Sequence, residues 1–170
     1  MHIQWMKMHR GIRAIRTAAF PWLADGAFAE FSPLQDLIKA STPKPLPLLE
    51  QQHLNSLPDA WITSLHADSV KETLDKTLAE LRYLASIINT SESDMKHIPA
   101  MAWLSSVPEE FVTLVELRVP EAMLILASYA VFLKRIQYMW WCKGAGEALL
   151  DVAMDILGTD SEGKWKEYLR

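Results

Sequence analysis

The sequence contains one cysteine, Cys142, among its 170 residues. A single thiol cannot form a disulfide within the chain, and it cannot supply a zinc site made of several cysteines. The net charge is only -4, so there is no general electrostatic attraction to nucleic acid or anionic lipid. The most apolar stretch, residues 122–133, is about a dozen residues long, whereas a bilayer span needs roughly 20. The N-terminus lacks the apolar core and cleavage site of a signal peptide, so we expect a soluble, intracellular protein without membrane insertion.

Residues 120–141 form the stretch around which the rest of the chain is organised. Proline at its first position, followed by glutamate, favours a helix start. Between residues 122 and 133, only Ser128 and the hydroxyl of Tyr129 interrupt the apolar side chains. A helix that is apolar nearly all round is buried on most sides. The sequence therefore predicts an all-α fold, an irregular helical domain around a buried central helix over residues 120–141.

The remaining segments predict further helices and no strands. An amphipathic helix is expected over residues 3–20, with a basic face that either contacts nucleic acid or an acidic partner, or is simply solvated. The clearest periodicity, over residues 68–89, predicts a long helix with one apolar stripe. Other helices are predicted at 34–40, 48–57, 95–104 (broken at Pro99), 109–117 after a Ser106–Glu109 capping box, and 147–157, the last terminated by Gly158.

These segments predict one helical regulatory domain over residues 1–170, with the possibility that it is incomplete at its N-terminus. Residues 1–60 would form peripheral helices and a proline-rich connector. Residues 66–90 would form the amphipathic helix, and residues 107–170 the core helices.

Residues able to carry catalysis are scarce. The five histidines are scattered, with no i, i+4 pair and no acidic partner at ligand spacing, so no metal site is predicted. Gly144-Ala145-Gly146 lacks the third glycine and the preceding strand of a dinucleotide site. Cys142 has no assignable basic partner and is better interpreted as a buried structural thiol than as a nucleophile. A lipid-handling enzyme would need an acid–base or nucleophile constellation that the sequence does not display, so we predict that the chain is not an enzyme.

Large apolar side chains are plentiful instead. The chain has seven tryptophans, four tyrosines, five phenylalanines and eight methionines. Tryptophan supplies flat apolar area and methionine fills irregular gaps, which suits a pocket for a rigid apolar ligand. The same residues also build ordinary helical cores, and composition leaves both interpretations open.

Four segments carry a resemblance to a known family. They are, in chain order, Trp5–Arg16, Phe31–Leu34, Phe111–Ala130, and Trp140-Trp141 with the following glycines and terminal Trp165. Together they resemble the C-terminal half of fungal zinc-cluster transcription factors of the sterol uptake control type. The resemblance spans most of the chain. It is diffuse up to about residue 105 and most specific from Phe111 to Gly146.

The resemblance implies a role in transcription regulation, in the nucleus or cytoplasm. In that family an all-α C-terminal domain binds ergosterol, and an N-terminal binuclear zinc cluster with six cysteines binds DNA. This chain has no zinc cluster, so the resemblance predicts no zinc or other cofactor here, and DNA contact only indirectly or through a further N-terminal domain. It implies a sterol or other apolar small molecule as ligand, and a homodimer or a co-regulator protein as partner. It also leaves open whether the chain is a fragment, a truncated gene product or a stand-alone regulator.

On this interpretation the ligand lies between the central helix and its neighbours. The side chains predicted to line or support the site are Phe111, Leu114, Leu126, Tyr129, Ala130, Leu133, Trp140 and Trp141. Gly144 and Gly146 would form the turn that lets the last helix close over them. Tyr129 is the best polar group for a ligand hydroxyl, although a tyrosine that hydrogen-bonds inside the core fits the sequence equally well. The alternative function is a protein-interaction or dimerisation module with no small-molecule ligand.

Overall fold

Six helices have defined bounds in the part of the chain that the structure describes, and no strand occurs there, which confirms the all-α class. The structure, a computed structural model, describes residues 43–90, 103–104, 106–136, 138–139 and 142–159, and the single positions 8, 11 and 100. The helices are α1 (Leu48–Ser56), α2 (Asp59–Ile62), α3 (Asp68–Thr90), α4 (Glu109–Glu116), α5 (Pro120–Lys134) and α6 (Ala145–Thr159). None of these helices is long and apolar enough to span a membrane.

The long helix α3 follows its predicted periodicity. Leu74, Leu78, Leu81, Ala85 and Ile88 are all buried, and Val70 packs partly buried against the same core. On the opposite side the exposed Glu72 and Lys76 form an i, i+4 pair. The apolar stripe is buried as a unit because residues three and four positions apart lie on one face of a helix.

The two short helices at the N-terminal side of α3 are anchored to it by polar side chains. The predicted helix over 48–57 is confirmed as α1, and its Leu54 carbonyl, in the last turn, accepts a hydrogen bond from Arg82 Nη2 at 2.6 Å. Helix α2 was not predicted. It begins after Pro58 and buries Trp61, whose indole Nε1 donates to Asp75 Oδ1 at 2.9 Å.

The junction of α4 and α5 is a Schellman turn. Arg118 N–H donates to Val115 O and Val119 N–H donates to Leu114 O, the two bonds that define this motif. Arg118 occupies the left-handed position with φ +56°, where glycine is usual. Helix α4 therefore stops before Pro120, as predicted. The predicted capping box is wrong, because Pro108 is the N-cap residue and the Ser106 hydroxyl donates instead to the Trp103 carbonyl.

Helix α5 is the buried central helix that the sequence predicts, but it ends at Lys134 and not at Trp141. Beyond it, the Arg135, Ile136, Met139, Cys142 and Ala145 N–H groups each donate to the carbonyl three residues earlier. These bonds close tight turns in place of further α-helix. The turns bury Ile136 and Cys142, which explains why an apolar sequence continues past the end of the helix.

The contact between α5 and α6 is more extensive than the contact between any other pair of described helices. Helix α6 runs from Ala145 to Thr159, so the predicted limits of 147 and 157 are too narrow, and Gly158 lies inside the helix. Just after the last residue of α5, Arg135 pairs with Glu50 of α1 and stacks over the Phe132 ring at 5.1 Å. Helix α5 is thus enclosed by α1, α3, α4 and α6.

Several predicted elements fall outside the described residues. They are the helices over 3–20 and 34–40, of which only Met8 and Gly11 are described, and most of the segment 95–104. In that last segment Ala100, Trp103 and Leu104 have helical backbone and are buried.

Candidate ligand-binding site

The predicted site residues on α5 all lie in the core. Every side chain from Glu121 to Ala130 is buried, and so are those of Phe132 and Leu133. Leu126, Ala130 and Leu133 are 0% exposed and Tyr129 is 1% exposed. This follows from the sequence, because an all-round apolar helix gains the most free energy when it is covered on every side.

Tyr129 is held inside the core at both its ring and its hydroxyl. The hydroxyl donates to the Ala100 carbonyl at 2.9 Å. The ring stacks on Trp103, with centroids 4.3 Å apart and planes 27° from parallel. Burial raises the pKa of Tyr129 well above its usual value, so the hydroxyl remains a donor. The structure therefore matches the second interpretation of Tyr129, the internally hydrogen-bonded tyrosine.

Trp103 connects Tyr129 to α4. Its ring meets Phe111 edge-on at 5.9 Å and 71°, and its Nε1 points to the Thr77 carbonyl of α3 at 3.4 Å. We call Trp103, Phe111 and Tyr129 the aromatic cluster. Trp103 was not among the predicted site residues, since no local pattern indicates which aromatic rings will meet. Leu114, also predicted to line the site, is partly buried on the edge of the same core.

The two predicted hinge glycines have different roles. Gly144 has φ +76°, a conformation that favours glycine, and ends the turn that precedes α6. Gly146 lies inside α6, so its assignment to the turn is wrong. A Cβ on Gly146 would lie 2.8 Å from the Ala130 carbonyl oxygen and 2.7 Å from Lys134 Cγ. The absence of a side chain there lets α6 approach the backbone of α5 closely. Trp140 and Trp141 lie outside the described residues.

Two histidines contact α5 from other elements, which sequence spacing did not indicate. His66 Nε2 lies 3.2 Å from Oε2 of the buried Glu121, without the alignment of a hydrogen bond. His53 Nε2 lies 2.9 Å from Ser128 Oγ, and that hydroxyl donates to the Leu124 carbonyl at 3.0 Å. Both contacts join residues far apart in the chain, so no short motif could reveal them.

The His53–Ser128 contact is not arranged as a catalytic pair. With the Ser128 hydroxyl donating to the Leu124 carbonyl, its oxygen accepts from the tautomer of His53 that carries Nε2–H. Burial lowers the pKa of His53, which favours the neutral ring. A general base would instead have to accept the serine proton. The pair therefore satisfies buried polar groups and joins α1 to α5.

Cys142 is 1% exposed in the turn after α5. Burial raises the pKa of its thiol, and the negative charge of Glu147 adds to this. The group is therefore a neutral, covered thiol, which makes it a poor nucleophile. Within the described ranges, no three His, Cys, Asp or Glu side chains gather as a metal site would require.

The predicted residues of α4 and α5 are packed in or against the core, Gly146 of α6 touches α5 at Ala130, and Gly144 lies in the turn before α6. We call this set of residues, comprising Phe111, Leu114, Leu126, Tyr129, Ala130, Leu133, Gly144 and Gly146, the candidate pocket. Comparison of the chain with protein families, with curated proteins and with solved structures finds no match.

Proposed function

We propose that the chain is a helical regulatory domain similar to the ligand-sensing part of sterol-type fungal zinc-cluster transcription factors. In this proposal a sterol or another rigid apolar molecule enters the candidate pocket, and the bound state alters transcription through a partner protein or a DNA-binding domain. The observation that carries the proposal is the character of α5, a helix with ten consecutive buried side chains from Glu121 to Ala130. An apolar ligand that inserted between α5 and its neighbouring helices would replace apolar contacts between side chains by similar contacts with the ligand, so that α5 would stay covered.

In this proposal α6 is the element that moves relative to α5. Helix α6 is attached through the turn at Gly144 and touches α5 closely at Gly146. A ligand placed beside Ala130 and Leu133 would favour a packing in which α6 is displaced. Such a ligand shifts the population only as far as it binds one packing better than the other. The regulatory output would then be read from the surface that α6 exposes or covers.

The test is a titration of the full chain with dehydroergosterol, a fluorescent sterol, read by energy transfer from tryptophan. The proposal expects saturable transfer that unlabelled ergosterol competes away. Transfer that rises without saturation, as in partition into a detergent micelle, would argue against a sterol site. If the tryptophan signal saturates with another rigid apolar compound but not with sterols, the proposed pocket is retained and its proposed ligand is no longer a sterol.

Two leucine truncations locate the binding. Leu133→Ala and Leu81→Ala each remove a side chain that is at most 1% exposed, so each should destabilise the fold by about 2–5 kcal/mol. Only Leu133 belongs to the candidate pocket. Its truncation should therefore change sterol affinity by about fivefold or more, roughly 1 kcal/mol, and Leu81→Ala should leave affinity unchanged. Equal effects of both variants would place the sterol outside the pocket, or would reflect stability alone.

A protein-interaction module is the second candidate, favoured by apolar side chains that the fold leaves exposed. Leu65 is fully exposed, Leu49 is 80% exposed and Leu117 is 70% exposed. Exposed apolar groups of this size are common at protein interfaces when they are contiguous. Sedimentation velocity over a hundredfold concentration range tests self-association. A dimer that is weakened by Leu49→Ser, and no saturable sterol binding, would favour this second function.

A further inference from the structure

A groove separate from the candidate pocket lies between the connector at 43–47, α1 and α3. Its volume is about 180 Å³. The lining residues are Lys44, Pro45, Leu46, Gln51, Leu54, Asn55, Arg82 and Ser86. They include two cations and two carboxamides, and no carboxylate. The groove therefore offers hydrogen-bond donors and positive charge above an apolar floor.

The walls of the groove are fixed by hydrogen bonds to the main chain. Asn89 Nδ2 donates to the Pro45 carbonyl at 3.1 Å and holds the connector against α3. Arg82 Nη2 donates to the Leu54 carbonyl at 2.6 Å and holds the last turn of α1. Leu54 is 1% exposed and Leu46 packs partly buried on the core. Because these hydrogen bonds already fix the walls of the groove, little conformational entropy is lost there when a ligand binds.

Arg82 has more donor capacity than its contacts use. A guanidinium carries five N–H groups. Its Nε is buried and has no acceptor among the residues that the structure describes. Asp75 is near enough to act on the Arg82 charge, but its Oδ1 already accepts the Trp61 indole. Arg82 as a whole is partly exposed and lines the groove, and an anion is the acceptor that a guanidinium binds best.

We infer that this groove binds a small organic carboxylate, with its charged group between Arg82 and Lys44 and its apolar body on Leu46 and Leu54. A cavity of about 150 Å³ is known to hold benzene, so the groove suits a carboxylate of about nine non-hydrogen atoms. Benzoate has that size and serves as the probe. Because the ligand is small and the groove is open at its rim, the dissociation constant should be about 1 mM.

The competing explanation is that Arg82 only caps α1. Capping needs one N–H on the Leu54 carbonyl and makes no use of the remaining donors. The two explanations differ in what benzoate does to the Arg82 Nε–H signal. They also differ in the effect of Lys44, an exposed side chain of the groove rim that does not cap the helix.

The experiment is a ¹H–¹⁵N NMR titration of the full chain with sodium benzoate at constant ionic strength. We expect saturable shifts of the Arg82 Nε–H signal and of the Gln51 and Asn55 side-chain amides. Benzyl alcohol, a neutral molecule of similar size, should produce no saturable shift. The inference is overturned if benzyl alcohol matches benzoate, if no shift saturates, or if inorganic phosphate binds as tightly, since the last result would assign no role to the apolar floor.

Three variants complete the test. Arg82→Lys keeps a positive charge but lacks the planar fork, and should weaken benzoate binding about fivefold or more. Lys44→Met should weaken binding about two- to threefold without touching the cap, which guards against an Arg82 variant that fails to fold. Lys76→Met removes a cation from the exposed face of the same α3 helix and should leave binding unchanged. Unchanged binding in both the Arg82 and Lys44 variants would refute the site.

Discussion

Replacing Gly146 by alanine tests whether α5 and α6 are as close as the structure places them. The added Cβ would lie 2.8 Å from the Ala130 carbonyl oxygen and 2.7 Å from Lys134 Cγ, whereas ordinary van der Waals contact begins at 3.4 Å. The lysine methylene can rotate away. The carbonyl oxygen belongs to the backbone of the buried helix α5, so α6 itself has to shift.

Two opposing effects set the size of the change. Overpacking of a close contact costs about 1–3 kcal/mol. Alanine gains up to about 1 kcal/mol over glycine inside a helix, and less in the first turn, where Gly146 lies. Gly146→Ala should therefore lower the free energy of unfolding by about 1–2 kcal/mol. For a chain of this length, that corresponds to a melting temperature lower by roughly 2–8 °C.

Gly158→Ala is the matched control, because Gly158 lies in the same helix and a Cβ added there would meet nothing within 4 Å. It should be neutral or stabilising by up to about 1 kcal/mol. Urea unfolding followed by circular dichroism measures both variants. If Gly146→Ala is as stable as Gly158→Ala, the helices do not cross as closely as described and the reasoning fails.

Three further predictions concern single side chains. Arg118→Gly should stabilise the fold by about 1 kcal/mol in thermal unfolding, because glycine adopts the φ of +56° without strain; a loss of stability would contradict the Schellman turn. Tyr129→Phe should cost about 1–2 kcal/mol, since it leaves the buried Ala100 carbonyl without its donor; a neutral effect in urea unfolding would mean that the bond is absent. For His53, burial lowers the folded-state pKa below that of the unfolded chain, so the unfolded state binds the extra proton first as the pH falls below about 6.5. As the pH falls, the free energy of unfolding should therefore decrease more steeply in the wild type than in His53→Gln, by up to about 1.4 kcal/mol per pH unit. Parallel pH profiles of the two proteins would refute this prediction.

Helices with strong patterns were predictable from the sequence alone. Helix α3 has a full apolar stripe, and α5 combines a proline start with uninterrupted apolar residues, so both were found with their correct beginnings. The end of α5 was not predictable. The residues after Lys134 remain apolar because the turns that follow are also buried. Burial and helix formation produce the same pattern there, and only the tertiary structure separates them.

The surroundings of the predicted site residues followed from the sequence only in part. The burial of Leu126, Ala130 and Leu133 follows from the composition of their helix. The state of the Tyr129 hydroxyl depends on Ala100, 29 residues away, and the role of Gly146 depends on the helix that it touches. Contacts between distant segments have no local sequence signal, which is why these two assignments needed the structure.

The links from α1 to α5 have a consequence for the order of folding. His53 reaches Ser128 across 75 residues, and Glu50 reaches Arg135 across 85. Helices α5 and α6 are instead joined by a turn of roughly ten residues. Closing a loop of 75 residues costs about 1.8 kcal/mol more conformational entropy than closing one of ten. We therefore expect the α5–α6 hairpin to form early and α1 to dock late. Amide protons of α1 should exchange with solvent through local opening, well before those of α5, which would exchange only when the whole domain unfolds.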